Sequence, residues 1–126
     1  MKEFKNRIQI AAIADIDSIS GTDITMKPGR QIDDIFSSND IFPGETDQLN
    51  GGSRFYTQTL TVICDKLGDT LYNRYRDRQV VIKLFDTDGG EYLLGNQFYP
   101  ARCSVAPKLT QDEMAITCDN IRSLLS

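Results

Sequence analysis

Histidine and tryptophan are absent from this 126-residue sequence, and cysteine, methionine and proline are scarce. Nucleophilic catalysis by a Ser–His or Cys–His arrangement needs an imidazole, so the absence of histidine excludes it. Histidine is also the commonest metal ligand, which removes most metal-hydrolase arrangements. Glycosidase chemistry needs only two carboxylates at a fixed separation. The sequence has 18 acidic residues, but no pair of them is marked out by an apolar setting. An enzyme using carboxylates is therefore a minor alternative, and we expect a protein that is not an enzyme.

Cysteine is present only as Cys64, Cys103 and Cys118, an odd number at wide spacings without a CxxC pair. This pattern matches neither a zinc site nor a disulfide framework. All three lie in apolar or alternating runs, where cysteine behaves as a small buried hydrophobic residue. We expect three free structural thiols and a reducing compartment.

The sequence has no excess of basic residues, because its net charge is −4. Non-specific nucleic-acid binding depends on Lys and Arg neutralising phosphates, so we expect no nucleic-acid partner. The one local basic cluster is Arg74, Arg76 and Arg78, in "YNRYRDRQ". A solvated helix end explains it, and a basic patch that contacts DNA or a neighbouring subunit is the alternative.

Long apolar runs are also missing, and none approaches the ~20 residues needed to cross a bilayer. The N-terminal stretch "MKEFKNRIQIAAIADI" is interrupted by Asp15 and lacks the apolar core and cleavage site of a signal peptide. We expect a soluble protein made in the cytoplasm. The length predicts a single domain over residues 1–126.

What the sequence has instead is alternation of apolar and polar residues, typical of half-buried strands. The clearest example is "RFYTQTLTVICDK" (Arg54–Lys66), which is rich in threonine and β-branched residues. The period of Arg7–Ile19 is ambiguous, and its isoleucines favour a strand. Further strands are predicted around Ile24 and Met26, at Gln79–Asp86, in "EYLLGN", at Ala101–Pro107 and at Glu113–Ile121.

Two segments depart from this alternation. Leu67, Leu71 and Tyr75 recur every four residues, which predicts a short amphipathic helix over about 67–77 with Asp69 as its cap. Residues 31–53 are acidic and contain Pro43 and several glycines, which predicts a long loop. That loop is either a solvated surface loop or an extended arm whose large apolar residues pack on a partner.

The segment "FDTDGGEYLLGN" (Phe85–Asn96) crowds three carboxylates around two glycines. A calcium loop of the EF-hand type would need glycine at its sixth position and glutamate at its twelfth, where Glu91 and Gln97 stand instead. By contrast, Asp88-Gly89 between two apolar strands is a strong hairpin signal. We predict a hairpin whose carboxylates are solvated turn residues.

Together these elements predict a mainly β (α+β) fold. It is an antiparallel β-sandwich or half-barrel, with one short helix (about 67–77) packed on it and a long loop or arm (about 31–53).

Part of the sequence, from Tyr56 to Val105, resembles small virion proteins of tailed bacteriophages. It is most similar to short tail and head–tail connector proteins of phages and prophages of Bacteroides-type bacteria. The resemblance consists of a strand "TQTLTV", a helix, a hairpin "VVIKLFDTDGGEYLLG" and a strand that begins on proline. The matching residues are Leu60, Val62, Val81, Ile82, Asp86, Gly90, Tyr92, Leu94, Gly95, Pro100 and Arg102.

This resemblance implies a structural role in the virion, as a tail or neck subunit that forms a ring or tube with its own copies or with neighbouring virion proteins. It implies no cofactor and no active site. A small β-rich binding or adaptor module, such as an assembly chaperone or inhibitor, is the alternative. From the residues themselves, we hypothesise that an arm anchors to an adjacent subunit through Ile35, Phe36, Ile41 and Phe42.

Overall fold

The computed structural model describes residues 3–50 and 53–120, with only the backbone described for 47–50 and 53–55. A turn of 3₁₀ helix at Ile13–Asp15 separates the first two strands. The elements in chain order are β1 (Phe4–Ala12), β2 (Ile16–Ser20), β3 (Asp23–Met26), β4 (Asp33–Phe36), β5 (Gly44–Asn50), β6 (Ser53–Asp65), α1 (Gly68–Tyr75), β7 (Arg78–Asp86), β8 (Glu91–Leu94), β9 (Ala101–Pro107) and β10 (Gln111–Asn120).

One curled antiparallel sheet forms a half-barrel, as the sequence predicts. Its strand order is β4-β1-β7-β9-β10-β6-β5. Strand β8 also pairs with β7. On one edge of β7, residues 82–85 pair with β8 and residues 78–80 pair with β9. The longest ladder joins β6 and β10, from Gln111 opposite Asp65 to Asn120 opposite Tyr56.

The concave side of the sheet holds the main hydrophobic core. Every second residue of the large strands points into this core, because successive side chains of a strand point to opposite faces of the sheet. The apolar residues of the alternating sequence pattern are the ones that point inward. The three cysteines are buried and free, as predicted. The fully enclosed side chains include Ile8, Ile10, Val62, Val80, Ile82, Leu84, Leu94, Met114 and Ile116.

A second, smaller cluster lies on the convex side, under the hairpin of β2 and β3. It consists of Ala11, Ile16 and Val81, with Ile24 and Leu93 packed against it. Strand β7 is therefore covered on both faces, which explains its uninterrupted apolar run "VVI".

The two ends of the curled sheet meet at Ser37, which forms an isolated bridge with Cys64. Next to it, the Ser38 amide donates to the carbonyl of Ile63 at 2.7 Å. The Asn39 side chain continues this ladder, because its Oδ1 accepts the Ile63 amide at 2.9 Å and its Nδ2 donates to the Thr61 carbonyl at 3.2 Å. A side-chain amide thus replaces a strand backbone at the join.

The prediction of a long loop or arm over residues 31–53 is wrong. The segment contains β4, which pairs with β1, and β5, which pairs with β6. Gly44 fits against β6 because a Cβ there would lie 2.8 Å from Thr59 Oγ1. Pairing with distant strands, rather than local sequence preference, gives these two short strands their structure.

The short helix is confirmed, as Gly68–Tyr75, and Tyr75 buries its ring in the core. The prediction that Asp69 caps it is wrong, because the residue at the N-cap position is Leu67, whose own side chain forms no cap hydrogen bond. Instead, the carboxylate of Asp112 in β10 accepts the amide of Leu67 at 2.9 Å.

The hairpin at Phe85–Asn96 is confirmed, since β7 and β8 pair from Phe85 opposite Glu91 to Ile82 opposite Leu94. The prediction that its carboxylates are all solvated is wrong for Asp86, which is buried. Its Oδ1 accepts the amides of Asp88 at 2.9 Å and Gly90 at 2.6 Å. Its Oδ2 accepts the Tyr92 hydroxyl at 2.9 Å, so this carboxylate organises the turn.

Candidate assembly surface

The four hydrophobic residues predicted to anchor an arm divide into two pairs. Ile35 and Ile41 are core residues, only 4% and 2% exposed, whereas Phe36 and Phe42 are each 68% exposed. The division at Ile35 and Phe36 follows from strand β4, in which successive side chains point to opposite faces. The structure therefore leaves Phe36 and Phe42 available at the surface, and it uses Ile35 and Ile41 to hold their backbone in place.

Phe42 lines a cavity of about 420 Å³ between the start of β1 and the end of β7. The Thr87 amide donates to the carbonyl of Glu3 at 2.9 Å, which joins these two chain segments beneath it. We call this cavity the Phe42 groove. It is lined by Glu3, Phe4, Asp40, Ile41, Phe42 and Thr87.

Phe36 borders a second, smaller depression of about 190 Å³ between β4 and α1. Its apolar wall comes from Leu67 and Leu71, which are partly buried against the core. Asp34, which also lines this depression, forms an ion pair with Arg7 of β1 at 2.7 Å. Phe36 and Phe42 thus belong to separate depressions rather than to one patch.

The predicted basic cluster is not a single patch in the structure. Arg74 forms an ion pair with Asp33 at 2.7 Å, and that carboxylate also accepts the Tyr75 hydroxyl. The hydrogen bond to Asp33 raises the pKa of Arg74. Arg76 stacks on the ring of Tyr72, with 5.5 Å from its guanidinium carbon to the ring centroid. The contacts with Asp33 attach the helix to β4, whereas the contact of Arg76 with Tyr72 is internal to the helix and its C-cap.

Arg78 lies apart from these two residues, at the exposed first position of β7 and opposite Cys103. Its neighbour Asp77 adopts a positive φ of 52°, which turns the chain from the helix into the strand. The three arginines that are close in the sequence therefore lie in different elements. Arg74 and Arg76 are at the end of the helix, and Arg78 begins strand β7 after the turn at Asp77. A contact of Arg74, Arg76 and Arg78 with a partner stays a prediction.

Two exposed hydrophobic residues were missed by the sequence analysis. Leu109 is 97% exposed in the turn between β9 and β10, and Phe98 is 89% exposed in the loop after β8. The signal for Leu109 was an isolated leucine among polar residues, directly after Pro107 and Lys108. Single exposed apolar residues are common, so their position relative to other features decides their meaning.

Amide side chains line a further cleft of about 310 Å³, between the β2–β3 hairpin, strand β8 and the paired strands β6 and β10. Gln58 and Asn120 are buried there, and Gln58 Nε2 donates to Glu45 at 3.1 Å. Thr22 donates to Glu91 across the mouth of the cleft at 3.1 Å. The cleft is within the ~300–1,000 Å³ range of small-molecule sites.

Within residues 3–50 and 53–120, no group of three or more Cys, Asp or Glu side chains is placed to hold a metal ion. The same part of the chain contains no helix of the length and apolar character that a membrane crossing requires. No protein-family model matches the sequence, and no curated protein or solved structure matches it significantly.

Proposed function

We propose that this protein is a structural subunit of a tailed-phage virion, a tail or neck component that assembles with copies of itself into a ring or tube. The observation that supports the proposal is the pair Phe36 and Phe42, two exposed aromatic side chains that each follow a buried isoleucine. Large aromatic side chains that project from an ordered scaffold are the usual anchors of protein interfaces. The subunit is made in the host cytoplasm and acts in the particle.

The sheet supports the same proposal through its edges. In the described part of the chain, β5 pairs with β6 alone, and it forms the last strand of the sheet. The backbone groups on the other edge of such a strand can pair with a strand of another chain. Assembly through a strand edge and aromatic anchors needs no cofactor, and we assign the protein no catalytic role and no membrane or nucleic-acid partner.

The test replaces the exposed pair and leaves the buried pair intact. We expect Phe36→Ser/Phe42→Ser to fold with wild-type circular dichroism and an unchanged melting temperature. We also expect it to lose assembly, because the variant removes only exposed apolar surface. Size-exclusion chromatography with light scattering measures the mass of the particles at matched concentrations.

The matched control is Ile35→Ser/Ile41→Ser, the buried half of the same segment. We expect this variant to lose several kcal/mol of unfolding free energy, since truncating one buried Ile alone costs about 2–5 kcal/mol. A Phe36→Ser/Phe42→Ser variant that assembles as the wild type does would refute the assignment of the anchors.

A second candidate function is a small binding or adaptor module, and the amide-lined cleft favours it. Gln58 and Asn120 are buried polar side chains at one end of that cleft, where a polar ligand or peptide segment could be bound. This candidate predicts a monomer of 14.2 kDa at all concentrations, whereas the virion subunit predicts larger particles.

A further inference from the structure

The turn between β9 and β10 presents Leu109 as a rigid projection. The Lys108 amide donates to the carbonyl of Gln111 at 2.9 Å, which closes the turn. Lys66 Nζ donates to the Lys108 carbonyl at 3.0 Å and also pairs with Asp112 at 2.6 Å. The leucine at the tip is therefore exposed on a turn that is fixed at its base. Fixing an anchor before contact lowers the entropy that binding must overcome.

The Phe42 groove has the complementary chemistry. Phe4, Ile41 and Phe42 supply an apolar lining, and Glu3 and Asp40 supply exposed carboxylates at the same cavity. The cavity of about 420 Å³ falls within the ~300–1,000 Å³ range of pockets that hold whole small ligands, so it has room for a leucine side chain. The residue next to Leu109 is Lys108, whose charge is opposite to that of the two carboxylates.

We infer that Leu109 of one copy occupies the Phe42 groove of the next, with Lys108 facing Glu3 and Asp40. This inference rests on the proposed assembly function and names the contact by which copies join. In this assembly each copy inserts its turn into one neighbour and receives the turn of the other neighbour, so the contact is heterologous. Contacts of this type generate rings when the rotation closes and filaments when it does not.

Cysteine cross-linking between two differently labelled variants tests the contact directly. Thr110→Cys and Thr87→Cys are prepared separately, reduced, mixed and oxidised at about pH 8, because Thr110 is next to Leu109, Thr87 lines the groove, and both are exposed. These variants keep Leu109 and Phe42, and we expect a disulfide-linked heterodimer that joins position 110 of one variant to position 87 of the other. The three native thiols are buried and are therefore not presented to a thiol of another copy, and burial raises the pKa of Cys118 to about 11 and of Cys103 to about 12.

The matched control mixes Thr110→Cys with Thr25→Cys, which places the second thiol at another exposed threonine outside the groove. We expect the groove pair to yield at least about tenfold more heterodimer, which corresponds to a preference of roughly 1.4 kcal/mol. Equal yields from the two mixtures would overturn the contact. Circular dichroism of each variant confirms that it is folded before mixing.

Charge reversal supplies a second, independent readout. We expect Lys108→Glu to weaken assembly and Lys108→Glu/Asp40→Lys to restore it, because the double variant re-creates opposite charges across the contact. If the wild type assembles and neither cross-linking nor charge reversal is selective, this contact is wrong and the assembly function stands. If the wild type is a monomer at every concentration, both the contact and the proposed assembly function are wrong.

Discussion

At the scale of single residues, Asp112 connects two distant parts of the chain. Burial by itself would raise the pKa of this carboxyl. The hydrogen bonds that it accepts from the Leu67 amide and the Lys66 ammonium, and the charge of Lys66, outweigh that effect and lower its pKa below the ordinary value. One carboxylate thus satisfies a helix N-terminus and an ion pair, and it fixes the base of the turn that carries Leu109.

The first prediction concerns Asp112→Asn, which keeps the shape of the side chain and removes its charge. We expect a loss of about 2 kcal/mol of unfolding free energy at pH 7, since hydrogen bonds to charged groups contribute roughly 1.5–3 kcal/mol each. Because the folded pKa lies below the unfolded one, the stabilisation is complete above about pH 4 and is lost as the pH falls through the folded pKa. Urea denaturation at several pH values measures the difference.

The control is Asp69→Asn, which changes the residue that the sequence indicates as the cap. Asp69 is exposed in the first turn of the helix, where a carboxylate interacts with the helix dipole by about 0.3–1 kcal/mol. A larger effect of Asp69→Asn than of Asp112→Asn would contradict the structural account. The sequence could not identify Asp112, because it lies 45 residues from Leu67 and only the pairing of β6 with β10 brings the two together.

At the scale of the elements, the long strands and the helix were predictable because their periodicity is local. Strand β6 alternates over most of its length, and the β7–β8 hairpin has its turn residues in place. Strands β4 and β5 were not predictable. The four residues of β4 have structure because Ile35 pairs opposite Ile8 in a strand far away in the sequence. The acidic composition and the glycines of that region indicated a loop instead.

Gly95 ends β8 and provides the second prediction. It is buried, its φ is +89°, and a Cβ there would lie 2.8 Å from the Ala101 amide nitrogen. We expect Gly95→Ala to lose more than about 2 kcal/mol, because the positive φ alone costs roughly 1–2 kcal/mol and the overlap with backbone adds to it. Thermal denaturation followed by circular dichroism measures the loss.

The variant Gly29→Ala separates the cost of the positive φ from the cost of the overlap with the Ala101 backbone. Its φ of +79° is similar, but a Cβ there would have no atom within 4 Å. We expect Gly29→Ala to show only the conformational cost of about 1–2 kcal/mol. Equal losses at the two positions would show that the close approach to Ala101 contributes nothing.

At the scale of the whole molecule, the half-barrel was predictable and the candidate surface was only partly so. The hydrophobicity of residues 35–42 indicated a candidate segment, but the packing of the fold decides which of its side chains are buried and which are exposed. Leu109 was marked only by its isolation among polar residues, and single exposed apolar residues are common. Its proposed partner, the Phe42 groove, is formed by the start of β1, the end of β7 and residues 40–42, which are far apart in the sequence.

The central claim is that copies of this chain assemble into a closed ring or tube, and a negative-stain micrograph of the purified protein at high concentration tests it most directly. The account predicts uniform rings or tubes in the wild type and their loss in Phe36→Ser/Phe42→Ser. A field of single 14.2 kDa particles at every concentration would contradict it.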